Sequence, residues 1–553
     1  MAVQIADLVE HVVDVVPDRP ALIAGEVRYT YAELDAEANR FAHHLLGAGI
    51  EPGEHVGLMA RNVAEHVVAM LGCFKARVVP ININYRYLEA ELDHLFENSG
   101  MVGLVHEAGY APVLAGVVPK HERLRHVVSI ADGSGESTAY QSVDWQTALD
   151  GEPTTRGFGE RSADDVFIIY TGGTTGYPKG VMWRHEDAWR ALGGGTDFAT
   201  RKPIDEFAPS RAAAGDPSPL VSLQLGPLMH SSGQWAMLMR FITGHTSVLL
   251  PKFDPPTIWR TLEAERINTI SLVGDAMARP LIEEFERGSY DASTLLTVTS
   301  AAALFSAEVK ERWIKAFPDA VVLDVLGSSE TGMTGNGRIE QATLADKGSL
   351  VHLGPGTVVI DEQHRIIDPS EVGAIGLMAR SGTIPIGYLG DPEKTARTFI
   401  EIDGTRYAVP GDYVQIEEGH RLTLLGRGSG CINTGGEKVY PEEVEVALKS
   451  HPGVFDALVF ALPDLRPAGR STHRAAWGSR SRCRGRPHAP AHPALGIQGP
   501  AHRARRREGF AARDRQGRLS PRPGDLRRHP RRQGELSMSY VSVDRPAEGV
   551  DRC

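Results

Sequence analysis

Cysteine is scarce: Cys73, Cys431, Cys483 and Cys553 are the four in 553 residues. They are too few and too scattered for a disulfide framework or a zinc cluster. No apolar run approaches the roughly 18 residues of a membrane-spanning helix, so the sequence predicts no span and at most peripheral membrane contact. The opening Met1-Ala2-Val3-Gln4-Ile5-Ala6-Asp7 lacks the basic stretch of a secretory leader, which points to a reducing, cytoplasmic setting. Lysine is absent after Lys449. What is present is the mix of a globular enzyme, 42% hydrophobic and 23% charged, which excludes a disordered or fibrous chain. At 60.0 kDa the chain exceeds a single core, so two or more domains are expected.

The net charge of −11 conceals an asymmetry. Residues 466–553 carry 21 Arg, no Lys and 7 acidic side chains, a balance of +14, which leaves −25 on the rest. The two compositions meet abruptly.

Residues 1–426 read as one large α/β region. Apolar spacing predicts a helix over Ile5 to Val13, and Thr30 with Glu33 forms a capping-box pattern before a second. Short β-branched runs (residues 55–59, 78–83) alternate with helical stretches such as Val63 to Lys75, the pattern of parallel sheets. Val166 to Tyr170 predicts a buried strand feeding a Gly/Thr loop. Residues 201–219, rich in Pro, Ala and Ser, read as a surface excursion. From Gly373 the pattern turns β-like, with turns at Gly382, Gly387 and Gly411-Asp412. A helix over Pro441 to Ser450 and a strand over Val454 to Phe460 follow, and periodicity stops after Asp464.

The strongest chemical signal is Tyr170-Thr171-Gly172-Gly173-Thr174-Thr175-Gly176-Tyr177-Pro178-Lys179-Gly180. Hydroxyls and unhindered amides of such a loop can wrap phosphate oxygens, and Lys179 adds positive charge. It is no Gly-Lys-Ser/Thr P-loop, because Gly180 follows the lysine. Further along stand Pro227-Leu228-Met229-His230-Ser231-Ser232-Gly233, Gly327-Ser328-Ser329-Glu330-Thr331-Gly332, Pro410-Gly411-Asp412-Tyr413, Gly426-Arg427-Gly428-Ser429 and Gly435-Gly436-Glu437-Lys438. Taken singly, a histidine such as His230 is more often a core residue and a Gly-Asp pair more often a turn.

In this order the motifs resemble the adenylate-forming family of acyl-CoA synthetases, luciferases and peptide-synthetase adenylation domains, over roughly residues 5–465. The resemblance implies an α/β fold: a large multi-subdomain region with parallel-type sheets, flanking helices and a small β-barrel-like part, followed by a small α+β domain. It implies ATP, Mg²⁺ and CoA as cofactors and co-substrates, and a small carboxylic acid as substrate. Thr171 to Gly176 and Lys179 would wrap the triphosphate. Glu330, with Thr171, would hold Mg²⁺, a hard cation that prefers oxygen ligands. Lys179, Glu330 and His230 would be catalytic. Ala301, Ala302, Ser328 and Ser329 would line the AMP site, Asp412 would bind the ribose hydroxyls, and Arg427 would contact ribose and begin a hinge at 427–429. Met229, His230, Trp235 and Gly327 would border the acyl pocket, with Met237 a further wall candidate. Gly435, Gly436 and Glu437 would line the CoA tunnel.

There are departures. The family's glycine pair at the adenine wall is Ala301-Ala302 here, the aromatic before the metal-site glycine is Leu326, and the hinge residue is Ser429. The segments at 182–187, 274–280 and 426–429 look like a bacterial branch acting on fatty acids or steroid side-chain carboxylates. The family's late Gly-Lys segment, whose lysine contacts carboxylate and α-phosphate, is missing.

The tail at 466–553 resembles nothing in the family. Read from the second base of each codon, Ile497-Gln498-Gly499 can encode Tyr-Lys, and Arg515-Gln516-Gly517-Arg518-Leu519 can encode Gly-Lys-Ala-Asp-Tyr. The interval between the two lysines matches the family's. A single frameshift near Leu465 or Arg466 is therefore expected, leaving 430–465 as a remnant of the small domain and 466–553 as a disordered tail. The expected activity is ATP-dependent acyl-CoA synthesis, impaired in this chain. Two alternatives stand beside it: a non-catalytic ATP- or acyl-binding protein whose basic tail meets nucleic acid or other anions, and an enzyme that stops at acyl-AMP. No specific nucleic-acid partner is expected, and oligomeric state is not legible.

Overall fold

The computed structural model describes residues 3–172, 177–192, 195, 202–303, 305–339, 350–354 and 356–427, and beyond them 432–433, 438–439, 444–445, 457–463, 473–479 and 495–496. The chain divides into two compact units, Met1–Leu425 and Gly426–Cys553.

The first unit begins with helix Ile5–Val15, closed by reciprocal bonds between Gln4 and Asp7 and burying Ile5, Leu8, Val9 and Val12. Helix Tyr31–Gly47 carries the capping box read from the sequence: Glu33 N donates to Thr30 Oγ1 at 3.2 Å and Thr30 N to Glu33 Oε2 at 2.8 Å. Helix Ala64–Lys75 is apolar on nearly every face and is correspondingly buried. It packs so closely on Tyr31–Gly47 that a Cβ on Gly72 would lie 2.8 Å from the Phe41 ring.

Two sheets carry this unit. One has eight strands in the order 387–388, 179–184, 166–171, 79–82, 55–59, 103–107, 126–130, 143–144. Strands 166–171 through 143–144 run parallel, and 179–184 and 387–388 join antiparallel. The other has fifteen strands. Its parallel half runs 20–24, 246–249, 221–224, 269–272, 297–301, 321–328, as the strand–helix alternation predicts. The β-rich part after residue 331 continues that sheet through antiparallel pairing.

The largest core cluster lies under the first three helices, and a second, centred on Trp259, Trp313 and Phe317, lies under the helices of the parallel half. Residues 201–219 are not merely a surface excursion. They contain helix Ala208–Gly215, whose Ser210 hydroxyl meets His11 Nδ1 at 2.7 Å while Phe207 stacks on His11. Alanine-rich spacing with Pro209 in the first turn is helix-compatible, and the partner that settles it is 199 residues away in sequence. Gly387 sits in a short strand rather than a turn.

In the second unit, Ala457–Pro463 pairs with His473–Ser479, which pairs with Leu495–Gly496, and Val459 N donates to Glu445 Oε1 at 2.8 Å. Strand His473–Ser479 thus occurs where sequence periodicity has stopped. The rest of the tail, and most of the helix expected over 441–450, lies outside the described residues.

Candidate active site

Strand Val166–Thr171 brings Thr171 opposite Lys179, the first residue of antiparallel strand Lys179–Arg184. Gly172 is exposed, and Gly173, Thr174, Thr175 and Gly176 lie outside the described residues. Thr171 and Lys179 thus stand opposite each other at the same end edge of the sheet.

The loop after strand Val321–Ser328 closes against this edge. Ser328 pairs with Gly332, and a Cβ on Gly327 would stand 2.4 Å from the Gly332 carbonyl oxygen, so this hairpin requires glycine there. Ser328 Oγ and Thr331 Oγ1 are 2.9 Å apart, and Thr331 Oγ1 accepts from Ser328 N at 3.2 Å. Ser329 and Glu330 are both buried. Trp183 Nε1 donates to the Ser329 carbonyl at 2.9 Å, tying the loop to the strand that starts at Lys179. The Glu330 Oε1 accepts from the Tyr388 hydroxyl at 2.9 Å.

Lys394 completes this group. Its ammonium lies over the Tyr388 ring, 5.0 Å from the centroid. Its pKa is pushed down to about 8, first by burial and then by the Lys179 charge, against the opposing pull of Glu330 and Asp391.

The histidine segment adjoins the same loop. His230 caps helix Ser231–Ile242, and Ser231 Oγ lies 2.9 Å from Ser329 Oγ. His230 reaches solvent, and its pKa is lowered by partial desolvation and then by Arg86. Two buried asparagines fix the segment. Asn82 donates to the carbonyls of Tyr170 at 2.9 Å and Met229 at 2.6 Å and accepts from Tyr170 N at 2.7 Å. Asn62 accepts from Leu228 N at 2.8 Å and donates to Gly226 O at 3.3 Å.

Met229 is buried behind His230. Trp235 and Met237 face the main core, Trp235 packing edge-on against Phe167 at 5.2 Å, so these two act as core rather than exposed wall in this conformation. Ala301 ends strand Thr297–Ala301 opposite Val325, and Ala302 is exposed with φ at +65°. Asp412 is buried at the start of strand Asp412–Glu417, after Gly411 at φ +100°. Arg427 ends strand Arg421–Arg427, and its side chain, with Gly428, Ser429, Gly435, Gly436 and Glu437, lies outside the described residues.

Sequence reading missed Asn62, Asn82, Tyr388 and Lys394. A polar residue in the apolar run 78–83 marks Asn82; nothing local marks Lys394. The donors here suit a hard cation: one carboxylate and neighbouring hydroxyls. Among the described residues no group of three or more His, Cys, Asp or Glu could hold a metal, so a cation here would take most of its ligands from phosphate and water, as Mg²⁺ does. No helix among the described residues is long and apolar enough to cross a membrane.

The family model described as AMP-binding enzyme matches residues 9–388. A Mycobacterium tuberculosis protein named medium/long-chain-fatty-acid–CoA/3-oxocholest-4-en-26-oate–CoA ligase is 47% identical over 469 residues, 84% of this chain and 85% of its own. The Rhodococcus rhodochrous 3-oxocholest-4-en-26-oate–CoA ligase is 46% identical over 474 residues, 84% of this chain and 85% of its own. Among solved structures, the anthranilate CoA ligase AuaEII with anthranoyl-AMP shares the fold at a TM-score of 0.72, with 22% identity and 86% of each chain covered. The chain belongs to the AMP-binding enzyme family.

Proposed function

We propose that this chain is an ATP-dependent acid–CoA ligase of the cytoplasm, which activates a fatty acid or steroid side-chain carboxylate as acyl-AMP and transfers the acyl group to CoA. The observation that carries the reading is a buried carboxylate, Glu330, on a loop tied to the strand of Lys179 and to the serine beside His230, in a chain of this family. The names of the relatives support the substrate class.

In the first step the substrate carboxylate attacks the α-phosphorus of ATP and pyrophosphate leaves. In the second the CoA thiol displaces AMP. The first step joins two anions, so it needs positive charge and fixed geometry more than a base. Lys179 would stand beside the leaving phosphates, and Thr171, Gly172 and residues 173–176 would donate to their oxygens. Glu330 and Thr171 would hold Mg²⁺, which when bound neutralises phosphate charge. Asp412 and Arg427 would receive the ribose, Ala301, Ala302, Ser328 and Ser329 would border AMP, and Met229, His230 and Gly327 the acyl group. Gly435, Gly436 and Glu437 would line the thiol's path.

The missing late lysine would cost on the order of 3–4 kcal/mol in the transition state, ~100- to 1000-fold in rate. The frameshift remains our reading of the tail. It is supported by the 84% of this chain and 85% of each relative that the matches cover, which leave a stretch of each unmatched. Pyrophosphate release tests the function, measured with a long-chain fatty acid and with a steroid side-chain acid, with and without CoA. Slow release that depends on the acid is expected. Absence of release with any acid, together with ATP binding indifferent to Lys179→Ala and Glu330→Ala, would overturn it.

A further inference from the structure

Lys394 has no part in the chemistry assigned so far, yet its position is tightly built. Strand Gly387–Tyr388 pairs with Val181 and Met182, and Leu389 N donates to the Gly180 carbonyl at 2.8 Å, so the turn that follows is anchored to the strand of Lys179. Helix Pro392–Thr398 starts there, with Asp391 Oδ1 accepting from Lys394 N at 2.9 Å. Thr395 Oγ1 accepts from Tyr388 N at 2.9 Å and donates to the Asp391 carbonyl at 2.8 Å. A Cβ on Gly387 would come within 2.6 Å of Thr395, so strand and helix start touch directly. The Lys394 stem is thereby aimed across Tyr388, whose hydroxyl is on Glu330.

The Lys394 ammonium thus stands over Tyr388 beside the strand that begins at Lys179, and the Lys179 charge acts on it. Like charges so placed repel even through water, and more so when partly buried. The nearby carboxylates do not dissolve the problem. Glu330 is engaged by Tyr388 and Asp391 by the helix start, and among the described residues neither lysine forms an ion pair. Burial and the Lys179 charge outweigh the pull of Glu330 and Asp391 on this cation. An anion lying between the two would convert the repulsion into two charge-assisted hydrogen bonds.

We propose that Lys394 is a second polyphosphate-binding residue, which with Lys179 clamps the β- and γ-phosphates of ATP and the pyrophosphate that leaves. This rests on the ligase reading above and adds a residue to its site. The clamp would hold phosphates that AMP does not have, so ligands with and without them should separate its effect from general damage.

The test is calorimetric titration of the full chain with MgATP, magnesium pyrophosphate and AMP, for the unaltered protein, Lys394→Ala and Lys394→Met. Methionine keeps an unbranched stem over Tyr388 without the charge. Both variants should bind MgATP and pyrophosphate about tenfold or more weakly and AMP within about twofold of the unaltered protein, as expected for one lost charged hydrogen bond. Lys394→Arg should restore most of the loss. Unchanged binding in Lys394→Met, or equal loss for all three ligands, would overturn the clamp while leaving the ligase reading intact. Failure of the unaltered protein to bind MgATP, pyrophosphate or AMP would overturn both.

Discussion

Ala302 holds φ at +65° just after strand Thr297–Ala301. An L-residue with a Cβ pays on the order of 1 kcal/mol for that conformation, and glycine does not. The backbone thus keeps a shape suited to glycine although the residue is alanine, at the edge where the adenine is proposed to sit. Ala302→Gly should raise stability by up to ~1 kcal/mol, read as a small rise in apparent Tm, with the nucleotide site preserved; a lower Tm would contradict the strain. Gly233 is the opposite case. A Cβ there would meet the Pro227 and Gly226 carbonyl oxygens at 2.5 and 2.6 Å, backbone atoms with no room to yield. Gly233→Ala should displace the His230 segment and cost on the order of 2 kcal/mol. Thermal denaturation beside acid-dependent pyrophosphate release checks both effects.

At the scale of elements, the site depends on how segments are stitched rather than on their individual propensities. Asn82, in strand Val79–Asn82, serves the end of strand Val166–Thr171 and the Met229 carbonyl with three hydrogen bonds. Asn82→Ala strands the buried Tyr170 amide and two carbonyls, so a loss on the order of 3 kcal/mol is expected, with adenylation falling further than stability alone explains. Retained rate and retained Tm would show the bonds to be dispensable. Helix Ile5–Val15 is held similarly, since Ile5 N donates to Nδ1 of the buried His185 at 3.3 Å. Burial pushes the His185 pKa down to about 4. The unfolded chain, with an ordinary imidazole near 6.5, therefore binds the extra proton first as pH falls. Stability from this group is complete above about pH 6.5 and is lost as pH drops toward 4, at most about 3 kcal/mol. Urea midpoints at pH 7.5, 6 and 5 should fall steadily, and His185→Gln should flatten the slope; an unchanged slope in the variant would mean that other groups carry it.

For the whole molecule the question is the tail. Its 21 arginines and missing lysines stand after a chain whose first 388 residues reach the end of the family match. A gene with one base restored near codon 465 should give a protein that releases pyrophosphate ~100- to 1000-fold faster, while MgATP affinity changes little. Equal rates from the repaired and present chains would remove the frameshift as a cause of impairment. Sequencing the gene supplies the independent check, because the alternative frame must run through both lysine codons without a stop.

The amino-acid order by itself determined the alternation of strand and helix, the capping box at Thr30 and Glu33, the Thr/Gly loop before Lys179 and the family. Each is written in local spacing, residue type or motif order. Helix Ala208–Gly215 was not legible, because what fixes it, His11 with Ser210 and Phe207, is assembled from distant segments. Nor could spacing separate Trp235, turned into the core against Phe167, from a pocket wall. The meeting of Lys179, Tyr388, Glu330 and Lys394 belongs to tertiary structure alone. Those residues span more than 200 positions, and only sheet pairing and a buried hydroxyl–carboxylate bond bring their charges into one place.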